Sequence, residues 1–161
     1  MITKKNYEDG SMLEAAVHAF KEERNKPNFV NLLVALCNSY VWIPCTAVLS
    51  EKDQARLEAM VTEMEDNLEG LTGKEFIAND PTRLVPDILQ KGENFYFPIF
   101  SNVEAMGDYG DNFSKVQKHI LEIIPLARNN EKEPIGIVLN AFSESFILDK
   151  ELWDILEKMH R

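Results

Sequence analysis

The stretch from Leu84 to Leu148 constrains the fold most, because two short apolar strand patterns flank a helix there. The first is Asn94-Phe95-Tyr96-Phe97-Pro98-Ile99-Phe100-Ser101-Asn102-Val103-Glu104. The second is Ile135-Gly136-Ile137-Val138-Leu139-Asn140-Ala141-Phe142, followed by Ser145-Phe146-Ile147-Leu148. Such runs, rich in β-branched and aromatic residues and bounded by turn residues, read as strands. Leu84–Leu89 and Asn94–Phe100 form a hairpin in this reading, with Gly92 in the turn Gln90-Lys91-Gly92-Glu93 free to take a positive φ. Between the two patterns Ser101 caps a short helix, with Glu104 completing a capping box. A loop over residues 107–112 leads to a longer helix from about Phe113 to Arg128. Val116, Ile120, Ile123 and Ala127 line its inward side, and Pro125 kinks or ends it.

Upstream, Ser11-Met12-Leu13-Glu14 reads as a capping box that opens a helix to about Arg24. Pro27-Asn28 breaks the chain and caps a second helix, which is apolar almost all round and therefore expected to be deeply buried. Tyr40 to Leu49 is a β-rich run without clean alternation, the pattern of a strand covered on both faces. Pro44 within it marks a bulge or an edge. Ser50 caps a third helix from Glu51 to about Asp66, with Leu57, Met60, Val61 and Met64 on its apolar side. Residues 67–83 are irregular. After the second strand pattern, Asp149 caps a last helix that buries Leu152, Ile155, Leu156 and Met159.

The expected architecture is one domain over residues 1–161. Its class is α/β of the α+β type, a mixed sheet of about five strands flanked by helices. Residues 51–83 form an acidic helical and loop excursion. A chain of 161 residues buries roughly two thirds of its unfolded surface, so it needs no disulfide. Cys37 and Cys45 are expected as buried free thiols.

Charge narrows the partners. A net charge of −10 repels phosphate backbones, so nucleic acid is not an expected partner. No apolar run approaches the ~20 residues that cross a bilayer, and the N-terminus leads into no signal-peptide core. The expectation is a cytoplasmic protein without a membrane partner. The third helix is the most acidic segment, with Glu51, Asp53, Glu58, Glu63, Glu65, Asp66 and Glu69 against Lys52 and Arg56. It is either a solvated face or a docking surface for a basic protein.

The local motifs give no chemistry. Gly70-Leu71-Thr72-Gly73-Lys74-Glu75 has glycines too close for a phosphate loop, and Glu75 stands where a hydroxyl should hold magnesium. His119 and Glu122 lie three apart on the expected helix and make half a metal site at most. Asp108-Tyr109-Gly110-Asp111-Asn112 lacks the register of a calcium loop, and helix capping by Asp111 or Asn112 explains it. No serine sits in a Gly-x-Ser-x-Gly elbow. No catalytic, cofactor or metal residues are assigned, and no cofactor is expected.

The order of the motifs carries a resemblance. Phe97-Pro98-Ile99-Phe100-Ser101-Asn102-Val103-Glu104-Ala105-Met106 resembles the "lPvFTs-x-E-x-L" signature of the SseB N-terminal domain family, bacterial proteins named for enhanced serine sensitivity. Tyr40-Val41-Trp42-Ile43-Pro44 resembles its upstream "lyvP" strand, Gly136–Phe142 its "gvviNP" strand, and Phe146-Ile147-Leu148 its closing strand. Ser101 stands where Thr is usual and Ala141 where Pro is usual. The separate C-terminal domain of some relatives is not expected within these 161 residues. The resemblance implies an α/β domain in the bacterial cytosol and carries over no catalytic residue.

The expected function is a non-enzymatic protein-interaction or regulatory domain with a protein partner, a basic one given the acidic balance. Two other readings stay open. One is an immunity-type protein that neutralises a basic toxin. The other is a small-molecule-binding protein or enzyme whose site assembles at the strand ends. The candidate ligand or partner surface is Trp42, Phe100, Ser101 and Asn140.

Overall fold

The computed structural model describes residues 7–63 and 83–160. The chain divides into two compact units, Met1–Cys45 with Pro86–Arg161, and Thr46–Val85. Among the described residues seven strands form two sheets rather than one, of three and four strands, and with the helices give the α+β class read from the sequence.

The first unit opens with α1 (Ser11–Glu22) and α2 (Lys26–Asn38), packed on one another. The expected capping box at Ser11 is absent. The N-cap is Gly10 at φ 84, and Glu14 turns its carboxylate out of the helix altogether. The positive φ demands glycine, and so does space, because a Cβ on Gly10 would lie 2.4 Å from the Ser101 carbonyl oxygen. Asn25 caps α2 by accepting the Asn28 N–H at 2.9 Å, with Pro27 harmless in the first turn. The Asn28 amide donates back to the Ala19 and Glu23 carbonyls, so it closes the end of α1 instead of starting α2. Leu32, Leu33, Ala35 and Leu36 are buried, but Val30 and Val34 are exposed, so α2 is not covered all round.

Strand β1 (Tyr40–Val48) is antiparallel to β5 (Ser114–His119), from Tyr40 opposite His119 to Cys45 opposite Ser114. With β2 (Arg83–Pro86) the order is β2-β1-β5. The register is unbroken, so Pro44 marks no bulge. Trp42 exchanges two hydrogen bonds with Phe100 across its other edge, at 2.8 and 2.9 Å. Two residues on, Pro44 faces the same way without an N–H, and its carbonyl accepts the Asp87 N–H at 2.9 Å. Proline therefore stands where that edge needs only an acceptor.

The four-stranded sheet runs β3-β4-β6-β7, with β3 (Leu89–Lys91), β4 (Asn94–Ile99), β6 (Gly136–Leu139) and β7 (Phe146–Asp149). β4 and β6 are parallel, and the outer pairs are antiparallel. The expected hairpin exists but is shorter. It turns at Gly92 (φ 64), while Leu84 belongs to β2 in the other sheet. The break falls at Pro86-Asp87, where the Asp87 N–H goes to Pro44.

The expected helix over 113–128 is half strand. Ser114–His119 pairs with β1, and only Ile120–Arg128 is helical (α4). The first six residues carry one aliphatic side chain, Val116, too little for a buried helical stripe. His119 caps α4, its Nδ1 accepting the Leu121 N–H at 3.2 Å. Pro125 sits inside α4 without ending it. Asp108–Asn112 lies in a 3₁₀ segment (Glu104–Asn112) that leads into a strand, so neither Asp111 nor Asn112 caps a following helix. α5 (Lys150–His160) is capped by Asp149 as expected, and Met159 on it is exposed. Arg128 ties α4 to α5 through Asp154 and Glu157, each at 2.6 Å.

One core joins these elements: Leu13, Leu32, Leu36, Phe97, Ile99, Ile120, Ile123, Ile137, Leu148 and Trp153 belong to it. It covers the inner face of the four-stranded sheet, since Phe97, Ile99, Ile137 and Leu139 alternate inward along β4 and β6.

In the second unit, Ser50 caps α3 (Glu51–Glu63) by accepting the Asp53 N–H at 3.1 Å. Asp53 is buried and meets the Arg56 guanidinium at 3.3 Å. Leu57 and Met60 are half-buried and Val61 is exposed. Met64, the glycine-rich Gly70–Glu75 segment and most of the expected loop lie outside the described residues.

Candidate functional site

The parallel pair β4–β6 ends in a polar layer, Ser101 and Asn102 after one strand and Asn140 after the other. In open α/β sheets, sites gather at such strand ends. Asn140 adopts φ 52, a conformation asparagine tolerates better than most residues. Its N–H donates to the Ile99 carbonyl at 2.9 Å. Its Oδ1 accepts the Ser101 N–H at 2.9 Å, which fixes the amide orientation and leaves Nδ2 to donate to Ser101 Oγ at 3.0 Å.

The Ser101 hydroxyl has one proton and two acceptors in reach, Glu14 Oε1 at 2.5 Å and Asn140 Oδ1 at 3.3 Å. The carboxylate wins, being closer and charged. Asn102 Nδ2 reaches the same Glu14 oxygen at 2.9 Å, and Asn102 Oδ1 accepts the Ala105 N–H. Asn102, not Ser101, therefore caps the 3₁₀ segment, and Glu104 is exposed without closing a capping box. Glu14, Ser101, Asn102 and Asn140 make a polar latch from α1 to the ends of β4 and β6.

The Ser101 hydroxyl is shut off from solvent. Ser101 is wholly buried, its proton is committed, and no described buried side-chain polar atom lacks a partner. Phe100 is also buried, stacked on Phe142 at 5.8 Å and near Tyr109 at 6.3 Å. The Tyr109 hydroxyl donates to Asp87; burial first, then that bond and the Asp87 charge, push its pKa up. Of the four candidates from sequence, Phe100, Ser101 and Asn140 converge directly. Trp42, half-buried, joins them through its backbone pairing with Phe100.

Sequence reasoning missed Glu14, Asn102, His18 and Glu144. With Asn140, Glu104 and Ser143 these side chains line a cleft of about 480 Å³ beside the latch. His18 Nδ1 lies 3.2 Å from Glu144 Oε2. Three carboxylates against one imidazole give a negative field suited to a cationic group.

The other candidate chemistries have structural explanations. His119 Nδ1 is occupied by the cap, and its ring packs edge-on to Tyr40 at 5.0 Å. Burial lowers its pKa, with Glu122 opposing and His160 adding to the effect. Glu122 pairs with Lys118 at 3.7 Å. Among the described residues no three His, Cys, Asp or Glu side chains are grouped to hold a metal ion. Cys45 is buried and Cys37 half-buried; burial raises both thiol pKa values, with Lys118 partly offsetting it at Cys45. No described helix is long and apolar enough to cross a membrane.

A second surface lies on the outer face of the four-stranded sheet, a groove of about 420 Å³ lined by Leu89, Lys91, Tyr96, Val138, Phe142 and Ile147 among others. It faces away from the core residues of the same strands.

Compared with known families, residues 13–153 match the SseB protein N-terminal domain. The chain belongs to the SseB family. No curated protein and no solved structure gives a match. In this SseB domain the family-like strand motifs fall on β1, on β4 with its polar exit, on β6 and on β7. Three of the four latch residues, Ser101, Asn102 and Asn140, lie in these motifs.

Proposed function

We propose that this SseB domain is a non-enzymatic interaction domain of the bacterial cytosol that receives a basic segment of a partner protein in the acidic cleft. The carrying observation is the latch itself. The one hydroxyl placed at the parallel strand ends is buried and spent on Glu14, so the strand-end site offers a nucleophile no access. What faces solvent there is Glu14, Glu104 and Glu144, groups that attract a cation and orient it. Neutralisation of a basic toxin would be a narrower use of the same field.

A calorimetric titration with a Lys/Arg octapeptide tests this. Glu104→Gln with Glu144→Gln should weaken binding about fivefold or more. Glu131→Gln with Glu151→Gln removes the same net charge beside the start of β6, at the other end of the four-stranded sheet, and should change affinity less than about twofold. Equal losses in the two variants, or no binding by the parent, would reject the cleft.

A further inference from the structure

We infer that the acidic cleft receives a lysine side chain, an ammonium rather than a guanidinium, and that Glu14 makes the choice. This rests on the cleft as the binding site and adds which cation enters it. Glu14 is held unlike the other carboxylates there. Its Oε1 accepts the Ser101 hydroxyl at 2.5 Å and the Asn102 amide at 2.9 Å. A carboxylate oxygen has two lone-pair sites, so Oε1 is filled. Oε2 has no partner among the described residues, and Glu14 is exposed and lines the cleft. One fixed oxygen is thus left for a ligand.

The free oxygens discriminate between cations. A guanidinium binds a carboxylate best as a fork, with two parallel N–H donors on two oxygens. On Glu14 that fork has to break the bond from Ser101 or the bond from Asn102. An ammonium carries three donors, each directed at a single acceptor, so it takes Oε2 and leaves the latch whole. Glu144 repeats the pattern. Its Oε2 faces His18 Nδ1 at 3.2 Å, and its Oε1 has no partner among the described residues. Two carboxylates with one committed oxygen each suit donors that spread over several acceptors.

Glu104 differs from both. It lines the cleft, is exposed and has no carboxylate oxygen engaged among the described residues, so it accepts either cation. A loose glutamate loses side-chain freedom when it grips a ligand. Glu14 has already lost that freedom to the latch, so its contact is the one that decides. An acidic surface without a held carboxylate favours arginine, whose planar fork matches both oxygens. Preference for lysine is therefore the mark of this arrangement.

The probes are two N-acetylated octapeptides, one alternating alanine with lysine and the other alanine with arginine, titrated calorimetrically into the whole chain. The lysine peptide should bind about threefold more tightly, or better. Asn102→Ser keeps a capping oxygen for the Ala105 N–H but frees a lone pair on Glu14 Oε1. It should erase the preference, chiefly by tightening the arginine peptide. Glu14→Gln should weaken the lysine peptide more than the arginine peptide, whereas Glu104→Gln should leave the lysine preference in place. A free amine in place of the acetyl group should add less than about twofold; a larger gain would assign the site to a chain terminus and overturn the lysine. Arginine binding as tightly as lysine to the parent overturns the inference and leaves the cleft standing. A preference that survives Asn102→Ser also overturns it, since Glu14 is then not its source. Binding of neither peptide rejects the cleft and the inference together.

Discussion

The turn between β6 and β7 has two unlike sides. Asn140, Ser143 and Glu144 face the acidic cleft, while Ala141, Phe142 and Ser145 face the sheet groove. On the first side the buried polar atoms all find partners within the chain, and they hold three elements in register. On the second, the large apolar side chains of Phe142 and Ile147 stay half in water. The difference teaches that buried polarity here serves order within the chain, in which the exposed apolar side chains take no part. Buried hydrogen bonds contribute modestly when made and cost heavily when broken.

The sharpest way to break this comparison is at Gly10. Gly10→Ala puts a methyl against the Ser101 carbonyl and forces a positive φ on alanine, so denaturant unfolding should show a loss of about 3 kcal/mol or more. Ser101→Ala strips Glu14 and Asn140 of a buried partner and should cost about 1–3 kcal/mol. Asn140→Gly keeps the backbone but loses the bonds, and Asn140→Ala should be worse by about 1 kcal/mol because it must hold φ 52. On the groove side, Ile147→Thr should change stability by less than about 1 kcal/mol, for the side chain is half in water already.

Acid sharpens the comparison from outside both faces. His119 must stay unprotonated at Nδ1 to cap α4, and burial lowers its folded pKa below 6.5. The folded state therefore binds the proton less well than the unfolded chain. Stability should be full above pH 6.5 and decline as the pH falls from there through the folded pKa. His119→Asn, which caps without titrating, should flatten that limb of a stability-against-pH curve. It should leave cleft binding unchanged.

Much of the fold was legible because its signals are local. The helix cap at Asp149, the cap at Ser50 and the β6–β7 pair follow from neighbouring residues, and so does the turn at Gly92. What escaped was decided at long range. Ser114–His119 becomes a strand because β1 offers it a ladder, a fact its own residues do not announce. Ser11–Glu14 and Ser101–Glu104 both match the capping-box pattern, yet Glu14 spends its carboxylate on Ser101. Two correct-looking local motifs thus concealed one long-range contact. Ser101 and Asn140 were visible as candidates because polar residues directly follow strand patterns. Glu14 and His18, on a distant helix, had no such marker.

The latch is part of the folded framework, and native-state hydrogen exchange at the Ser101 amide tests that most directly. That N–H donates to Asn140 Oδ1 in a buried setting. It should exchange with a free energy equal to that of global unfolding, alongside core amides such as Ile137. Exchange several kcal/mol easier than global unfolding would show a strand end that opens on its own, and would contradict the latch.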